Sequence, residues 1–411
     1  MKKIKNPYVI LVGIISILYA VLFAKFIVGD SAYFFTGMGD DTLNINYPLY
    51  YFFSDMFQSK NFDTYFLNVG LGMDMTSNMF PYLNLLNFAI LLLPERLIVW
   101  GVIFLVYVKL LLIGIFGYKF FQKHIQNEWG SLAAALAWTF SSYIMLWGQH
   151  YGFLTAIVMF TIFMYLVHLF VDENEKSRNG ILVLWVTWML FTSYYFLYTT
   201  AVISALYVLV YCICKKKSCK ELILKMVGLG AMGVLGVCIG GVCLNATLND
   251  FTNSARTEVL GIGGLDFLFK PYDAEWISSS FARIVSNNIM GIAEDYTGVN
   301  NYYEVAMLFT SSLFFISLPV LVQKRRYRKT TLSMVVLAIA SIIFPISGKL
   351  FNLTVTSYRW TFVICFMEAL AIGMAVKEIL HTQNKKELYW SVGSGVILSV
   401  LVSAGIVMGE Y

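Results

Sequence analysis

The sequence predicts an all-α polytopic membrane protein with about eleven transmembrane helices. Hydrophobic residues make up 59% of the 411 residues, whereas charged residues make up only 13%. Soluble domains carry about 25% charged residues, so this composition excludes an ordinary soluble protein. The apolar residues form long runs, and a run of about 20 residues crosses a bilayer as a helix. Because these runs are continuous rather than alternating, they also exclude a transmembrane β-barrel.

The predicted transmembrane helices follow one another through short connections, apart from two long polar loops. The apolar stretch 180–214 is too long for one helix, which predicts two helices that turn near residues 192–195. Residues 80–94 are too short to cross and are bracketed by Pro81 and Pro94, which predicts a helix that lies in the outer interface. The full set of predicted spans is 8–28, 97–120, 130–147, 151–171, two within 180–214, 222–244, 305–322, 331–346, 358–380 and 389–408.

The distribution of charge predicts the orientation of the chain in the membrane. Most of the 29 Lys and Arg residues fall in segments assigned to the inside, and most of the 24 acidic residues fall in segments assigned to the outside. An excess of basic residues is typical of cytoplasmic loops. We therefore expect a cytoplasmic N-terminus and, with an odd number of spans, an outer position for Tyr411. Short basic clusters between apolar runs do not indicate nucleic-acid binding.

Two outer loops, 29–80 and 245–304, interrupt what is predicted to be one membrane domain over residues 1–411. The first of these loops contains one basic residue, Lys60, and six acidic residues, which are Asp30, Asp40, Asp41, Asp55, Asp63 and Asp74. This pattern predicts a carboxylate-rich pocket at the outer face of the membrane.

Asp40 and Asp41 are adjacent carboxylates early in this loop. One carboxylate can take a proton from an acceptor hydroxyl as that hydroxyl attacks an anomeric carbon. Two together can hold a divalent cation such as Mg²⁺ or Mn²⁺, which would screen a phosphate leaving group. Adjacent carboxylates are hard to keep ionised without a cation or base nearby. The alternative is that both are solvated loop charges or helix caps.

An amphipathic helix is predicted over residues 48–59, shortly after the acidic pair. Pro48 stands near its start, where a missing N–H costs nothing. Asp55 and Gln58 fall on the polar side. We expect the helix to lie flat with its aromatic face in lipid, which would hold the acidic pair just above the membrane plane. The apolar face follows helical spacing and comprises Leu49, Phe52, Phe53, Met56 and Phe57.

Several segments resemble YfhO-type bacterial membrane proteins. The first three are residues 41–49, 68–74 and 80–86, in that order. Later matches are His150, the segment Tyr302-Tyr303-Glu304, and the segment Tyr358-Arg359-Trp360. The resemblance covers most of the chain, and its strength lies in the order and spacing of short motifs. Two departures are Ile45, where the family usually has Gln, and the expected absence of the C-terminal outer domain of longer relatives.

The resemblance implies a glycosyltransferase of the GT-C superfamily, whose members take sugars from polyprenyl-phosphate carriers at the outer membrane face. An acid in the first outer loop is catalytic in that superfamily. This implies Asp41 as the general base and Asp40 as its helper or metal partner, in an inverting transfer. The implied product is a sugar, often N-acetylglucosamine, attached to lipoteichoic acid or another cell-envelope polymer. A partner glycosyltransferase would charge the carrier.

Three residues are candidates for binding the phosphate of the carrier: Arg359, Arg256 and His150. The forked donors of Arg suit phosphate. An Arg at a helix mouth also serves as an interfacial anchor, and a lone His in an aromatic turn is often structural. Both alternatives stay open for these positions.

Asp74, Glu304 and Lys109 are the predicted lining residues of the pocket. Glu304 can instead cap the helix that follows it, where negative charge is favourable. Lys109 and Glu368 are costly charges within spans, and such residues usually face a cavity or each other. Lys109 can also meet the lipid phosphate.

Two other classes of function remain open from the sequence. A multi-pass transporter or lipid flippase without catalytic chemistry would make Lys109 and Glu368 essential and the outer acids dispensable. A non-catalytic relative would instead scaffold an enzyme.

Overall fold

The computed structural model describes residues 5–29, 31–33, 42–63, 65–66, 72–74, 80–81, 84–172, 178–252, 269–274, 277, 313–352 and 359–408. The chain divides into two compact units. Unit 1 comprises residues 1–15, 111–147 and 262–411, and unit 2 comprises residues 16–110 and 148–261.

The predicted first outer loop, residues 29–80, contains secondary structure that the sequence predicts only in part. The helix predicted over 48–59 is confirmed, and a π-helical turn at Thr42–Asn46 leads directly into it. A short hairpin follows, in which Tyr65 pairs with Asp74. The elements up to this point are α1 (Pro7–Leu22), α2 (Ala24–Ile27), α3 (Tyr47–Ser59), β1 (Tyr65–Phe66), β2 (Met73–Asp74) and α4 (Leu85–Leu91).

Helix α3 is amphipathic as predicted, with Asp55 exposed on its polar side. Part of its apolar side packs against protein, since Phe53 is fully buried. Ser54 and Gln58 both donate a hydrogen bond of 2.8 Å to the carbonyl oxygen of Leu93, just beyond α4. These bonds hold α3 on the end of α4. The prediction that its aromatic face lies in lipid is therefore wrong for the buried part of that face.

Helix α4 is the short helix expected within residues 80–94. Asn84 precedes it, and the Asn84 side chain accepts hydrogen bonds of 3.1 Å from the backbone N–H groups of Leu86 and Asn87. Asn is a favoured residue at this position because its oxygen satisfies free backbone donors. Pro94 then begins a 3₁₀ turn that leads into the next helix.

Unit 2 is built mainly from long apolar helices. The predicted division of residues 180–214 is confirmed, because Ser193 ends one helix and caps the next by accepting from the N–H of Phe196. The last helix of the unit extends into the predicted outer loop 245–304. Helix α5 (Ile98–Ile125) belongs to unit 2 up to residue 110 and to unit 1 from residue 111. The other helices of unit 2 are α8 (Tyr151–Val171), α9 (Asn179–Thr192), α10 (Tyr194–Cys214), α11 (Cys219–Ile239) and α12 (Gly241–Thr252).

Unit 1 contains a close helix pair, α6 (Glu128–Thr139) and α16 (Phe362–His381). A Cβ atom at Gly130 would lie 2.5 Å from the carbonyl oxygen of Gly373, so both glycines are needed for this approach. The remaining helices of unit 1 are α7 (Ser142–Trp147), α13 (Leu313–Gln323), α14 (Arg325–Ile343), α15 (Ile346–Asn352) and α17 (Lys385–Met408).

The basic cluster 324–329 is not a simple connection between spans. Helix α14 begins at Arg325, several residues before the predicted start of the span 331–346. Arg326 forms an ion pair with Glu378 of α16, which holds the first turn of α14 in place.

The described helices are those of an all-α membrane protein. Four are long and apolar enough to cross a membrane, namely Glu95–Ile125, Tyr151–Val171, Tyr194–Cys214 and Cys219–Ile239. Shorter apolar helices lie at Pro7–Leu22, Asn179–Thr192, Leu313–Gln323 and Leu388–Leu401. The count of about eleven spans stays a prediction.

Candidate functional site

Thr42 joins the predicted first outer loop to the turn that precedes α8. This residue follows Asp41 in the sequence and is fully buried. Its hydroxyl donates a hydrogen bond of 3.2 Å to the carbonyl oxygen of Gln149. Asp40 and Asp41 themselves lie outside the described residues, so their catalytic and metal-binding roles stay predictions.

Tyr151, the first residue of α8, is the centre of a group of buried tyrosines. Its ring lies 5.8 Å from Tyr47, 6.0 Å from Tyr50 and 6.4 Å from Tyr33, measured between ring centroids. These separations are typical of favourable aromatic pairs. The Tyr151 hydroxyl also donates to the carbonyl oxygen of Tyr33. The group therefore fixes α3 and the segment after α2 against the start of α8.

Burial changes the acidity of Tyr33 and Tyr47, which both lie outside the predicted spans. Burial raises the pKa of the Tyr33 hydroxyl, and Tyr19 adds to this effect. Burial also raises the pKa of Tyr47. A hydroxyl with a raised pKa keeps its proton at neutral pH, so neither residue is suited to act as a base.

Lys109 is a residue of α5, and its side chain contacts the start of α8. Its side chain is 1% exposed, and its ammonium donates hydrogen bonds of 3.1 Å to Asn87 Oδ1 and to the carbonyl oxygen of Tyr151. Within the described part of the chain, the acceptors of this ammonium are neutral oxygens of unit 2. A buried cation is costly unless hydrogen bonds or counter-charges compensate it.

Asn87 connects this ammonium to Pro81, just after the predicted first outer loop. It is 3% exposed, and its amide nitrogen donates a hydrogen bond of 3.0 Å to the carbonyl oxygen of Pro81. Asn84 donates to the same oxygen while it caps α4. The polar network therefore runs from Pro81 through Asn87 to Lys109.

His150 lies between the two contact points of this turn. It is 7% exposed, its ring stacks on Phe153 with centroids 5.2 Å apart, and its carbonyl oxygen accepts from the N–H of Phe153 at 2.8 Å. Three consecutive residues thus meet different partners: Gln149 accepts from Thr42, His150 stacks on α8, and Tyr151 accepts from Lys109.

Comparison with known proteins identifies the family. The profile of the family described as "Bacterial membrane protein YfhO" matches residues 9–410. The chain belongs to the YfhO family. No protein with a curated description matches it. The resemblance inferred from the short motifs is therefore confirmed over nearly the whole chain.

Arg359 and Glu368, which the sequence analysis singled out in this YfhO-family protein, lie in unit 1. Arg359 opens a 3₁₀ turn before α16, and its carbonyl oxygen accepts a hydrogen bond of 2.7 Å from the hydroxyl of Tyr143. The neighbouring Trp360 is buried and packs on Phe351, with centroids 4.7 Å apart. Glu368 lies further along α16 and is 4% exposed. The proposed role of Arg359 in phosphate binding stays a prediction, as does a pairing of Glu368 with Lys109.

The side chains of three other predicted site residues lie outside the described part of the structure. Arg256 and Glu304 lie outside the described residues. Asp74 belongs to β2, and its backbone pairs with Tyr65. Their predicted roles at the phosphate and in the pocket therefore stay predictions.

The described residues contain no group of three or more His, Cys, Asp or Glu side chains that could hold a metal ion. The acidic pair 40–41 is not among these residues, so the expected divalent cation stays a prediction.

Sequence reasoning missed the role of Asn84, Asn87 and Tyr151. The signal available was the pair of amides three residues apart within an apolar segment, because a buried amide needs hydrogen-bond partners. Nothing in the local sequence indicates that one partner would be Lys109.

Proposed function

We propose that this YfhO-family protein is a membrane glycosyltransferase of the GT-C type. It would move a sugar from a polyprenyl-phosphate carrier to a cell-envelope polymer such as lipoteichoic acid. Transfer would take place at the outer face, with the N-terminus in the cytoplasm, the C-terminus outside and about eleven membrane spans. A partner glycosyltransferase would load the carrier. Family membership and the acid-rich first loop support this proposal.

The observation that carries the proposal is the convergence at residues 149–151. Thr42 bonds to Gln149, and Lys109 bonds to Tyr151. Thr42 directly follows the acidic pair in the sequence. Thr42 and Lys109 therefore contact the same turn, and His150 lies between their two acceptors.

In the proposed reaction, an acceptor hydroxyl attacks the anomeric carbon of the donor sugar from the face opposite the phosphate. Asp41 takes the hydroxyl proton as the new carbon–oxygen bond forms. The bond from the anomeric carbon to the phosphate oxygen breaks, and polyprenyl phosphate leaves with the electron pair. The configuration at the anomeric carbon is inverted. Asp40 assists, and a divalent cation held by both carboxylates would screen the leaving charge.

Positive charge near the leaving phosphate is the second requirement of this reaction. Arg359 or Arg256 would receive the phosphate through forked donors, and His150 would orient it. Lys109 would add a buried positive charge beneath the site. Its described acceptors are neutral, so its charge is not cancelled by them. In a site of low dielectric constant such a charge acts on an anion more strongly than in water.

The test of the proposal is the substitution Asp41→Asn. A positioned general base contributes about 10²- to 10⁴-fold to rate, so transfer should fall by at least about a hundredfold while expression is unchanged. Purified protein in vesicles would be supplied with a polyprenyl-phosphate-linked radiolabelled sugar and an acceptor polymer. Asp55→Asn is the matched control, because Asp55 is an exposed acid of the same loop. Retained transfer in the Asp41→Asn protein would remove Asp41 from the mechanism.

A transporter without catalytic chemistry is the second candidate function. The observation that favours it is the burial of two charges within helices, at Lys109 and Glu368, which are 1% and 4% exposed. This function predicts that Lys109→Gln and Glu368→Gln each abolish activity in cells, whereas Asp41→Asn has no effect. Loss of activity in the Asp41→Asn protein favours the transferase.

A further inference from the structure

A groove of about 540 Å³ lies between α9 and α11 in unit 2. Arg178 lies at one end, and the lining is almost wholly apolar. The lining residues are Arg178, Gly180, Ile181, Val183, Leu184 and Leu235.

The wall of this groove is held by a close contact between its two helices. A Cβ atom at Gly236 would lie 2.7 Å from the carbonyl oxygen of Val183, so the helices approach as closely as a glycine permits. Thr187 donates a hydrogen bond of 2.8 Å to the carbonyl oxygen of Gly236 across the same contact. Val183 also lines the groove, as does Gly180 near the start of α9. A Cβ atom at Gly180 would meet nothing within 4 Å.

Arg178 supplies the charge at the end of the groove. It is exposed and immediately precedes α9, and its guanidinium donates to no residue that the structure describes. Leu184 lies six residues further along, so the apolar wall extends roughly 9 Å from the charge at a helical rise of 1.5 Å per residue. An arginine followed by an apolar wall matches a phosphate followed by an acyl chain.

We propose that this groove binds one anionic phospholipid, with the phosphate on Arg178 and an acyl chain along Ile181, Leu184 and Leu235. Three features select a lipid. The guanidinium complements a phosphate, the walls are apolar, and Ile181, Leu184 and Leu235 are 38%, 61% and 54% exposed. The charge distribution assigns the connection before α9 to the cytoplasmic side, where anionic lipids attract basic residues. Lipid binding here is independent of glycosyl transfer.

The test measures lipid binding to the full-length protein purified in a mild detergent. Phosphatidylglycerol or phosphatidylcholine is titrated in, and the bound lipid is counted by native mass spectrometry. We expect one phosphatidylglycerol molecule to bind in preference to phosphatidylcholine. Arg178→Gln should reduce that preference about tenfold, since a charge-assisted bond to the phosphate is lost. Arg178→Lys keeps the charge but lacks the forked donors of the guanidinium, so it should retain part of the preference for phosphatidylglycerol.

A second variant tests the groove rather than the charge. Gly180→Leu places a side chain in open space within the groove, so it should weaken binding of both lipids without disturbing the fold. Arg325→Gln and Gly233→Leu are the matched controls. Arg325 is exposed at the start of α14, and Gly233 has open space but does not line the groove.

Three outcomes would overturn the proposal. One is an equal loss of phosphatidylglycerol in the Arg178→Gln and Arg325→Gln proteins, which would indicate attraction by net charge alone. Another is unchanged lipid binding in the Gly180→Leu protein. The third is a wild-type dimer that Gly180→Leu dissociates, which would make a second copy of the chain the occupant. Circular dichroism and gel filtration would verify that each variant is folded.

Discussion

Helices α8 and α11 are equally long and almost equally apolar, yet they have opposite surroundings. Each has 21 residues and could cross a membrane. In the most apolar part of each helix, 78% of α8 is buried within the protein, compared with 11% of α11. Hydropathy therefore identifies both as candidate spans, but it does not tell which one contacts protein and which one contacts lipid.

The difference follows from the side chains that each helix presents. Helix α8 carries a polar group with a partner on another helix, namely His168, which bonds to the hydroxyl of Tyr207 on α10. Helix α11 is rich in glycine, and Gly236 is its buried residue. A polar group within a span needs a protein partner, whereas an apolar surface is stable in lipid. The candidate site lies at α8, as this difference leads us to expect.

The largest expected effect is the difference in stability between two lysine substitutions, one at a lysine that contacts α8 and one at a lysine on α11. Lys109→Ala should lower the free energy of unfolding by about 3 kcal/mol, because it leaves a cavity and removes the donor to Asn87. Lys220→Ala, at the exposed start of α11, should change it by less than about 0.5 kcal/mol. Unfolding of the full chain in mixed micelles titrated with sodium dodecyl sulfate measures both.

Lys109→Met is the control for lost volume in this comparison. It refills most of the space without a charge, so it should recover part of the stability. Equal and small effects of Lys109→Ala and Lys220→Ala would contradict the buried environment of Lys109.

An intermediate effect should distinguish two faces of α11 itself. Gly236→Leu should lower the free energy of unfolding by about 2 kcal/mol, because the new side chain meets Val183 and Val186 at 2.7 Å. Gly233→Leu has open space, so it should be neutral or raise stability by up to about 1 kcal/mol through helix propensity. The same micelle titration measures both variants. A destabilising Gly233→Leu would show that this face is covered by protein.

The smallest expected effect concerns the hydrogen bond that joins α9 to α11. Thr187→Val keeps the shape of the side chain but removes the bond to the carbonyl oxygen of Gly236, which should cost about 1 kcal/mol of unfolding free energy. Thr192→Val is the control, because the Thr192 hydroxyl bonds to Trp188 within its own helix. A loss as large for Thr192→Val would mean that the bond between helices adds nothing.

Helix ends were the most predictable part of the fold, because they depend on local chemistry. Pro48 lies in the first turn of α3. The polar residues near 192–195 predict the break that Ser193 caps between α9 and α10. The surroundings of a helix were less predictable. The apolar side of α3 suits lipid and protein equally, and hydrogen bonds to Leu93, distant in the sequence, decide between them.

The candidate site was predictable residue by residue but not as an arrangement. His150 and Lys109 stand out as polar residues in apolar surroundings, and the acidic pair stands out by composition. The contacts between them cannot be recognised in the sequence, because Thr42 bonds to Gln149, more than a hundred positions away in the chain. The acceptors of Lys109 likewise come from α4 and α8.

The sequence by itself determined that this chain is an all-α membrane protein of the YfhO family. Apolar length, charge clustering and short motifs are properties of neighbouring residues, so they do not depend on contacts between helices. Tertiary structure alone decided that α8 is enclosed, that α11 is open and that Lys109 reaches Tyr151. The physical reason is that the protein interior and the hydrocarbon of a membrane are both apolar. Close packing and specific hydrogen bonds therefore determine which of the two an apolar helix contacts.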